Sequence, residues 1–271
     1  MPELPEVESI RRSLEPVIKG RRVRQVIVRE RRLRRPVPSG LAKRLVGRVF
    51  SDIRRRAKYL LFEVDAGTLL VHLGMSGSLQ FVDAAMPCKA HDHVDIVLDN
   101  GGCLRYRDPR RFGCVLWIGG PPERHRLLAD IGPEPLSDDF DGQYLRTRLY
   151  RRRAPIKSLL MDARIVAGIG NIYANEALFI AGISPFRAGG RISKARLDRL
   201  VDAIREVLRA AIEAGGTTLR DHALADGSSG AYIERLGVYG RKGAPCSRCG
   251  ALIAMRIIAQ RSSYHCRRCQ R

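Results

Sequence analysis

Two groups of residues in this 271-residue chain have types and spacing that could do chemistry. The first is the start, Met1-Pro2-Glu3-Leu4-Pro5-Glu6. A small second residue permits removal of the initiator methionine, which would expose the secondary amine of Pro2. An α-amino group has a reference pKa of about 7.7–8.0, far below that of lysine, so part of it is unprotonated near neutrality. Such an amine can attack an electrophilic carbon and form an iminium. Glu3 and Glu6 are close enough in sequence to serve as general acid or base. Alone, this start reads first as an ordinary chain terminus, because Pro after Met is common. The second group is Cys246-x2-Cys249-x16-Cys266-x2-Cys269. Two CxxC pairs at that separation supply four thiolates for one tetrahedral Zn²⁺, with room between them for a hairpin, which is a zinc ribbon. Four thiolates leave no open coordination position, so the metal would be structural. A pair of disulfides is the alternative, but no export signal points to an oxidising compartment. Of the other thiols, Cys103 and Cys114 fall in strand-like apolar stretches and read as packed side chains, and Cys88 has no assigned role.

The elements that must position these groups are legible in outline. Residues 2–19 read as a helix with Val7, Ile10, Leu14 and Val17 on one face, stopped by Gly20. From Val23 to about Ile118 the pattern is short strands: Val23 to Val28, Tyr59 to Val64, and Leu69 to Leu73. Asp95 to Leu98, Asn100-Gly101 and Cys103 to Arg107 read as a tight hairpin. Many short strands with turn signals predict an antiparallel sandwich or barrel. His91, His93 and Asp95 alternate, so the three could share one strand face as a second metal site or as a binding surface. Pro121-Pro122 and Gly132-Pro133-Glu134-Pro135 then punctuate the chain. Beyond them Ser193 can cap a helix whose apolar face is Leu197, Leu200, Val201, Ile204, Leu208, Ala211 and Ile212, ended by Gly215-Gly216. Gly168-Ile169-Gly170-Asn171 opens another apolar helical run, and N–H groups at such a start suit a phosphate. The predicted class is α+β: an N-terminal helix plus antiparallel β-sandwich domain over 2–133, a linker over 134–150, a helical domain over 151–236 and a zinc ribbon over 237–271.

Charge narrows the partner. Lys+Arg total 49 against 28 Asp+Glu, a net charge of +21. That excess is the footprint of a protein that neutralises phosphates, so nucleic acid is the expected partner. No run of about 18 apolar residues predicts a membrane span, and no basic amphipathic segment predicts a membrane surface.

Several stretches, taken in order, resemble formamidopyrimidine-DNA glycosylases. They are Pro2 to Glu8, Arg55 to Leu61, His72-Leu73-Gly74-Met75-Ser76-Gly77, and His91 to Asp95. They continue with Asp108-Pro109-Arg110-Arg111-Phe112-Gly113, Gly168 to Ala174, Val238 to Gly243 and the four-cysteine ribbon. The resemblance implies an enzyme that removes oxidised purines, 8-oxoguanine and formamidopyrimidines, from duplex DNA and nicks the resulting abasic site. It implies Pro2 as nucleophile on C1′, Glu3 as the acid for sugar opening, Glu6 in support, Lys58 for β-elimination and Arg261 for δ-elimination. A base must leave the stack before it can be attacked, and that leaves a void. Met75, Arg110 and Phe112 match the family's void-filling residues; on pattern alone Phe112 reads as core. Asn171 becomes a phosphate contact in a helix-two-turn-helix element, with Arg152 and Lys157 along the DNA backbone. His91, and more weakly His72, become backbone contacts, in preference to a metal site. Relatives carry Lys where this chain has Arg220, so the role of that position is open, as is that of the small-residue stretch 226–230.

The expectations are therefore one structural Zn²⁺, damaged double-stranded DNA as partner, a monomer, and a bacterial cytoplasmic location on the nucleoid. Two rivals stand beside them. An endonuclease VIII-type glycosylase would prefer oxidised pyrimidines, but Leu4, and Arg110 with Phe112 in one loop, favour the purine type. A non-enzymatic zinc-ribbon DNA-binding protein would explain charge and cysteines but not the N-terminus.

Overall fold

The computed structural model describes residues 2–217 and 230–271. The chain divides into two compact units, residues up to 129 together with 214–231, and 130–213 together with 232–271.

In the first unit, helix α1 (Leu4–Ile18) leads into strand β1 (Val23–Val28), helix α2 (Leu41–Leu45), and strands β2 (Asp52–Arg56), β3 (Tyr59–Val64), β4 (Gly67–His72), β5 (Ser78–Asp83), β6 (Asp92–Leu98), β7 (Gly102–Arg107) and β8 (Cys114–Ile118). They form two four-stranded antiparallel sheets, ordered β1-β6-β7-β5 and β2-β3-β4-β8. Alternate residues of each sheet point inward, as a period of two requires. Leu60, Phe62, Leu69 and Val71 come from one sheet, Val94, Ile96, Leu104 and Tyr106 from the other, and all lie in one buried core. Val7, Ile10, Leu14 and Ile18 of α1 join that core, so the helix is held by its apolar stripe. Gly20, in the left-handed region at φ +80°, ends it. The expected β6–β7 hairpin is present. Gly101 takes φ +79°, and Asn100 Oδ1 accepts from Gly102 N at 3.0 Å.

The expected common face for His91, His93 and Asp95 does not form. A register shift between Asp92 and Val94 breaks the alternation, and His91 stands outside the strand at φ +73°. His93 Nε2 meets Asp108 O at 2.9 Å, while Asp95 is paired to Arg29 and Arg105. Among the described residues the only candidate metal cluster is the four-cysteine group.

The second unit carries helices α3 (Gly142–Leu149), α4 (Ile156–Leu160), α5 (Asn171–Ile180) and α6 (Lys194–Glu213), then the hairpin β9 (Ile253–Ile258) and β10 (Arg261–Cys266). Every apolar residue expected on the α6 face is buried. The stretch 134–150 is not a plain linker. It contains α3, capped by Asp141 through Tyr144 N, with Leu145 and Leu149 buried. Arg205 of α6 also donates to the carbonyls of Ser137 and Phe140 at 3.0 Å. Residues 214–217 and 230–231, expected in the helical domain, group with the first unit. Glu6 gives the reason, since its Oε1 accepts from Thr217 N at 2.8 Å.

Candidate active site

Helix α1 begins with acidic residues aimed at its own first turn. Glu3 is the N-cap and Glu6 the third helical residue, in a reciprocal capping box. Glu6 Oε2 accepts from Glu3 N at 2.8 Å. Both carboxylates are buried, 3% and 7% exposed, at the helix end whose dipole favours negative charge. Pro2 therefore directly precedes the N-cap of α1 and is itself buried beside these carboxylates. The second carboxylate oxygen of Glu6 holds Thr217. Gly216 packs so closely that a side chain there would lie 3.0 Å from Glu6, and its φ of +86° also favours glycine.

The β2–β3 turn is fixed to the same helix. Arg55 Nε donates to Glu8 Oε2 at 3.0 Å, and Arg55 Nη1 donates to Ala57 O at 3.0 Å. Ala57 adopts φ +52° and Lys58 follows it, half-buried. Lys58 is thus delivered by a rigid two-residue turn tied to α1. Across the β3–β4 pair, Tyr59 faces His72 with ring centroids 4.8 Å apart. Burial, with the charges of Lys58 and Arg34 beside it, lowers the His72 pKa to about 4. His72 is therefore neutral at pH 7. Its Nδ1 accepts from Gly74 N at 3.0 Å, leaving Nε2 to carry the proton.

The three void-filling candidates are exposed together on the first unit. Met75 follows β4 and is 38% exposed, and Phe112 is 43% exposed, so the core reading of Phe112 fails. The Arg110 guanidinium lies 4.6 Å from the centre of the Phe112 ring, a cation–π contact that holds both side chains in one posture. Gly74 approaches the backbone of Phe112 and Gly113 too closely for any side chain, which brings the two loops edge to edge. His91 is exposed at the entry to β6.

In the second unit Asn171 opens α5 directly after Gly170, and its Oδ1 is buried with no hydrogen-bond partner. That oxygen can only accept, so it is a place for an outside donor, while the free N–H groups at the helix start are what would suit a phosphate. Exposed Arg152 shares a cavity of about 640 Å³ with Arg151, Arg153 and Arg191. Arg261 begins β10 next to the Ala259-Gln260 turn, where both residues have positive φ, and it is exposed as expected.

Lys157 is the expectation that the structure corrects. It is 1% exposed, and its Nζ donates to Ser262 O at 2.6 Å and Ser263 Oγ at 2.7 Å. It therefore does not lie on an open basic face. It pins the strand immediately after Arg261. Lys157→Met is expected to lower stability by about 1.5–3 kcal/mol, the worth of a lost hydrogen bond to a charged group. Melting curves of the two proteins check this.

Two further residues had no motif to announce them. Asn175 Oδ1 accepts from Tyr264 N at 2.8 Å, fixing β10 against α5. Glu176 accepts from the N–H groups of Gly237, Val238 and Tyr239 at 2.7, 3.0 and 2.7 Å. Burial pushes its carboxyl above the usual range against the pull of those three donors. The available signal was two adjacent polar residues inside an otherwise apolar helix.

The sulfurs of Cys246, Cys249, Cys266 and Cys269 all lie within 4.8 Å of one another, with Cys249–Cys266 at 3.5 Å and Cys246–Cys269 at 3.9 Å. Tetrahedral Zn–S bonds of about 2.3 Å require sulfurs about 3.8 Å apart, so the donor set fits one Zn²⁺. Backbone N–H groups of Arg248 and Cys269 point at Cys246 and Cys266 sulfur at 3.4 and 3.5 Å, as is usual around metal thiolates. The metal is a structural Zn²⁺ held by all four thiolates.

No helix among the described residues is long and apolar enough to cross a membrane. Three family models match in order: the formamidopyrimidine-DNA glycosylase N-terminal domain over residues 1–115, its H2TH domain over 131–223, and the zinc finger found in FPG and IleRS over 243–271. The formamidopyrimidine-DNA glycosylase of Syntrophotalea carbinolica is 57% identical over 271 residues, and that of Methylococcus capsulatus 55%, each match covering both chains fully. The crystal structure of the Thermus thermophilus MutM (Fpg) protein superposes with a TM-score of 0.89 at 39% identity, covering 99% of this chain and 98% of that one. The Lactococcus lactis Fpg in complex with abasic-site DNA gives 0.92 at 36% identity, covering 99% of each. With three domain models in register and full-length relatives above half identity, the chain belongs to the formamidopyrimidine-DNA glycosylase family.

Proposed function

We propose that this enzyme excises oxidised purines from duplex DNA and then cleaves the strand at the abasic site through an imine on Pro2. The observation that carries the reading is the placement of Pro2 directly before two buried carboxylates at a helix N-terminus, where removal of Met1 would free a secondary amine. In this reading the Pro2 nitrogen attacks C1′, the base departs with the bonding electrons of its glycosidic bond, and the proton shed by the amine goes to the departing base. Glu3 donates a proton as the sugar ring opens, giving an iminium between Pro2 and C1′. The iminium acidifies C2′; loss of that proton expels the 3′ phosphate, with Lys58 serving this β-elimination. A second elimination, served by Arg261, releases the 5′ phosphate, and water returns the free amine. Glu6 holds the N-cap and Thr217 in place, a supporting role.

The DNA footprint follows from exposure and charge. Arg110, Met75 and Phe112 fill the void, and Arg110 can hydrogen-bond the orphaned cytosine. His91, Arg152 and Asn171 take phosphates, and neutral His72 offers a donor near the β2–β3 turn. Lys157 acts behind Arg261. With several phosphates neutralised, binding falls steeply with salt.

A second reading, oxidised pyrimidines as substrates, has one observation in its favour. The Lactococcus lactis relative, at 37% identity, has been crystallised with DNA containing an oxidised pyrimidine. The test is nicking of matched duplexes carrying 8-oxoguanine opposite cytosine, formamidopyrimidine, an oxidised pyrimidine or no lesion. Highest kcat/KM on the two purine lesions supports the proposal; a maximum on the pyrimidine lesion replaces it with the second reading.

A further inference from the structure

We infer that Asp108 is a positioning residue that locks the three DNA-facing loops of the first unit into one recognition surface, and so sets discrimination of the base opposite the lesion. The inference rests on the proposed function for what that surface touches, and on geometry for the lock.

Asp108 follows β7 and is fully buried. Each carboxylate oxygen faces a different loop. Oδ1 accepts from the hydroxyl of Ser76, the neighbour of Met75, at 2.9 Å, and the same hydroxyl accepts from Arg110 N at 3.3 Å. Oδ2 accepts from Gly113 N at 2.8 Å, directly after Phe112, and the Tyr106 hydroxyl is 3.2 Å away. That hydroxyl is also 3.3 Å from His72 O. The Asp108 backbone completes the set. Its N–H donates to His91 O at 3.1 Å, and its carbonyl is 2.9 Å from His93 Nε2 and accepts from Arg111 N at 3.1 Å.

One buried side chain thus touches the immediate neighbours of Met75 and Phe112, and through Ser76 the backbone of Arg110. Its main chain fixes His91. None of these contacts faces outward, since Asp108 has no exposed surface, so the residue acts through the side chains it places. Buried carboxylates are costly unless donors satisfy them, and here three side-chain or backbone donors do so. The carboxylate makes the arrangement cooperative, because losing one strut leaves an acceptor buried without a partner.

The lock matters most when the surface must tell one orphaned base from another. Arg110 reads the opposite base by hydrogen bonds, and such readout is lost when the donor is displaced by an ångström. A preformed abasic site presents no lesion base to extrude, so cleavage there depends less on the lock.

The experiment uses the full-length zinc-loaded enzyme with two variants, Asp108→Asn and Ser76→Ala. Ser76→Ala removes one strut with little disturbance of the core, so it reports even where Asp108→Asn lowers stability. Measured are kcat/KM on 8-oxoguanine opposite cytosine and opposite adenine, nicking of a preformed abasic site, and the melting temperature. The expected result is that Ser76→Ala lowers the cytosine-to-adenine ratio by about tenfold, one hydrogen bond's worth, with abasic-site nicking reduced several-fold less than excision. Asp108→Asn is expected to lower the ratio further. The inference is overturned when the wild type excises 8-oxoguanine but Ser76→Ala leaves the ratio unchanged, or lowers excision and abasic nicking equally. A wild type inactive on 8-oxoguanine instead overturns the proposed function on which the inference rests.

Discussion

Glu3→Gln is expected to lower excision of 8-oxoguanine by about 10²–10⁴-fold, the usual contribution of a positioned general acid. It should spare cleavage of a preformed abasic site to within about tenfold. Once the Pro2 nitrogen has displaced the base, ring opening must expel the sugar oxygen, a poor leaving group unless protonated. A neutral amide cannot supply that proton, so the closed adduct reverts to substrate instead of releasing the base for good. A preformed abasic site is already in equilibrium with an open aldehyde, so the amine needs less assistance there. Gln keeps the length of Glu and can still accept from the backbone, so the capping box at the start of α1 should persist. The melting temperature is therefore expected to stay within a few degrees of wild type. Single-turnover rates on the two substrates, measured beside a melting curve, check the split. Equal losses on both would assign Glu3 a purely structural role.

Removing zinc is expected to abolish strand cleavage, by about a hundredfold or more, while leaving the sandwich folded. The buried cluster beneath the ribbon is small, comprising Phe179, Val238, Cys246, Ile253 and Cys266. Two of its five members are metal ligands, so little apolar burial remains to hold the hairpin without the ion. Structural zinc contributes about 10–16 kcal/mol of apparent binding free energy in small ribbons, and that binding is also their folding. Unfolding β9 and β10 frees Arg261 and releases the strand that Lys157 and Asn175 hold. The first unit has its own core of both sheets and α1, with no ligand from the ribbon. Chelation, or Cys249→Ser, followed by circular dichroism and nicking, checks both halves. Retained cleavage at under about a tenth of an equivalent of zinc would contradict the structural role.

The most readable features in the sequence were those whose meaning is local. The CxxC pairs specify donors by spacing alone, and the four sulfurs meet. Gly20, Asn100-Gly101 and Gly215-Gly216 mark turns because the backbone there needs what their types permit. The apolar stripe of α6 forecast most of its buried face, missing Ala203 and Val207. The unreadable features depend on partners distant in the chain. Lys157 looked like part of the Arg151–Arg153 run, yet its ammonium reaches Ser262 and Ser263, more than a hundred residues away. Phe112 had the composition of a core residue, but a cation–π contact with Arg110 supports it at the surface. The His91–His93–Asp95 alternation failed on a single register shift, which periodicity does not reveal. Asp108 and Glu176 serve backbone N–H groups of other segments, and a carboxylate carries no sign of which amides it will satisfy. The doubtful position Arg220 and residues 226–229 lie outside the described residues, while Gly230 pairs closely with Gly215 and Gly216.

Borohydride trapping tests most directly whether the Pro2 amine forms a covalent imine with the damaged nucleotide. The enzyme, shown by intact mass to lack Met1, would be incubated with an 8-oxoguanine:cytosine duplex and reduced in place. The expected result is a stable protein–DNA adduct whose proteolysis assigns the crosslink to Pro2, absent from undamaged duplex and lost in Pro2→Gly. No adduct from zinc-loaded, correctly processed enzyme, or an adduct that maps to Lys58 and survives Pro2→Gly, would contradict the account.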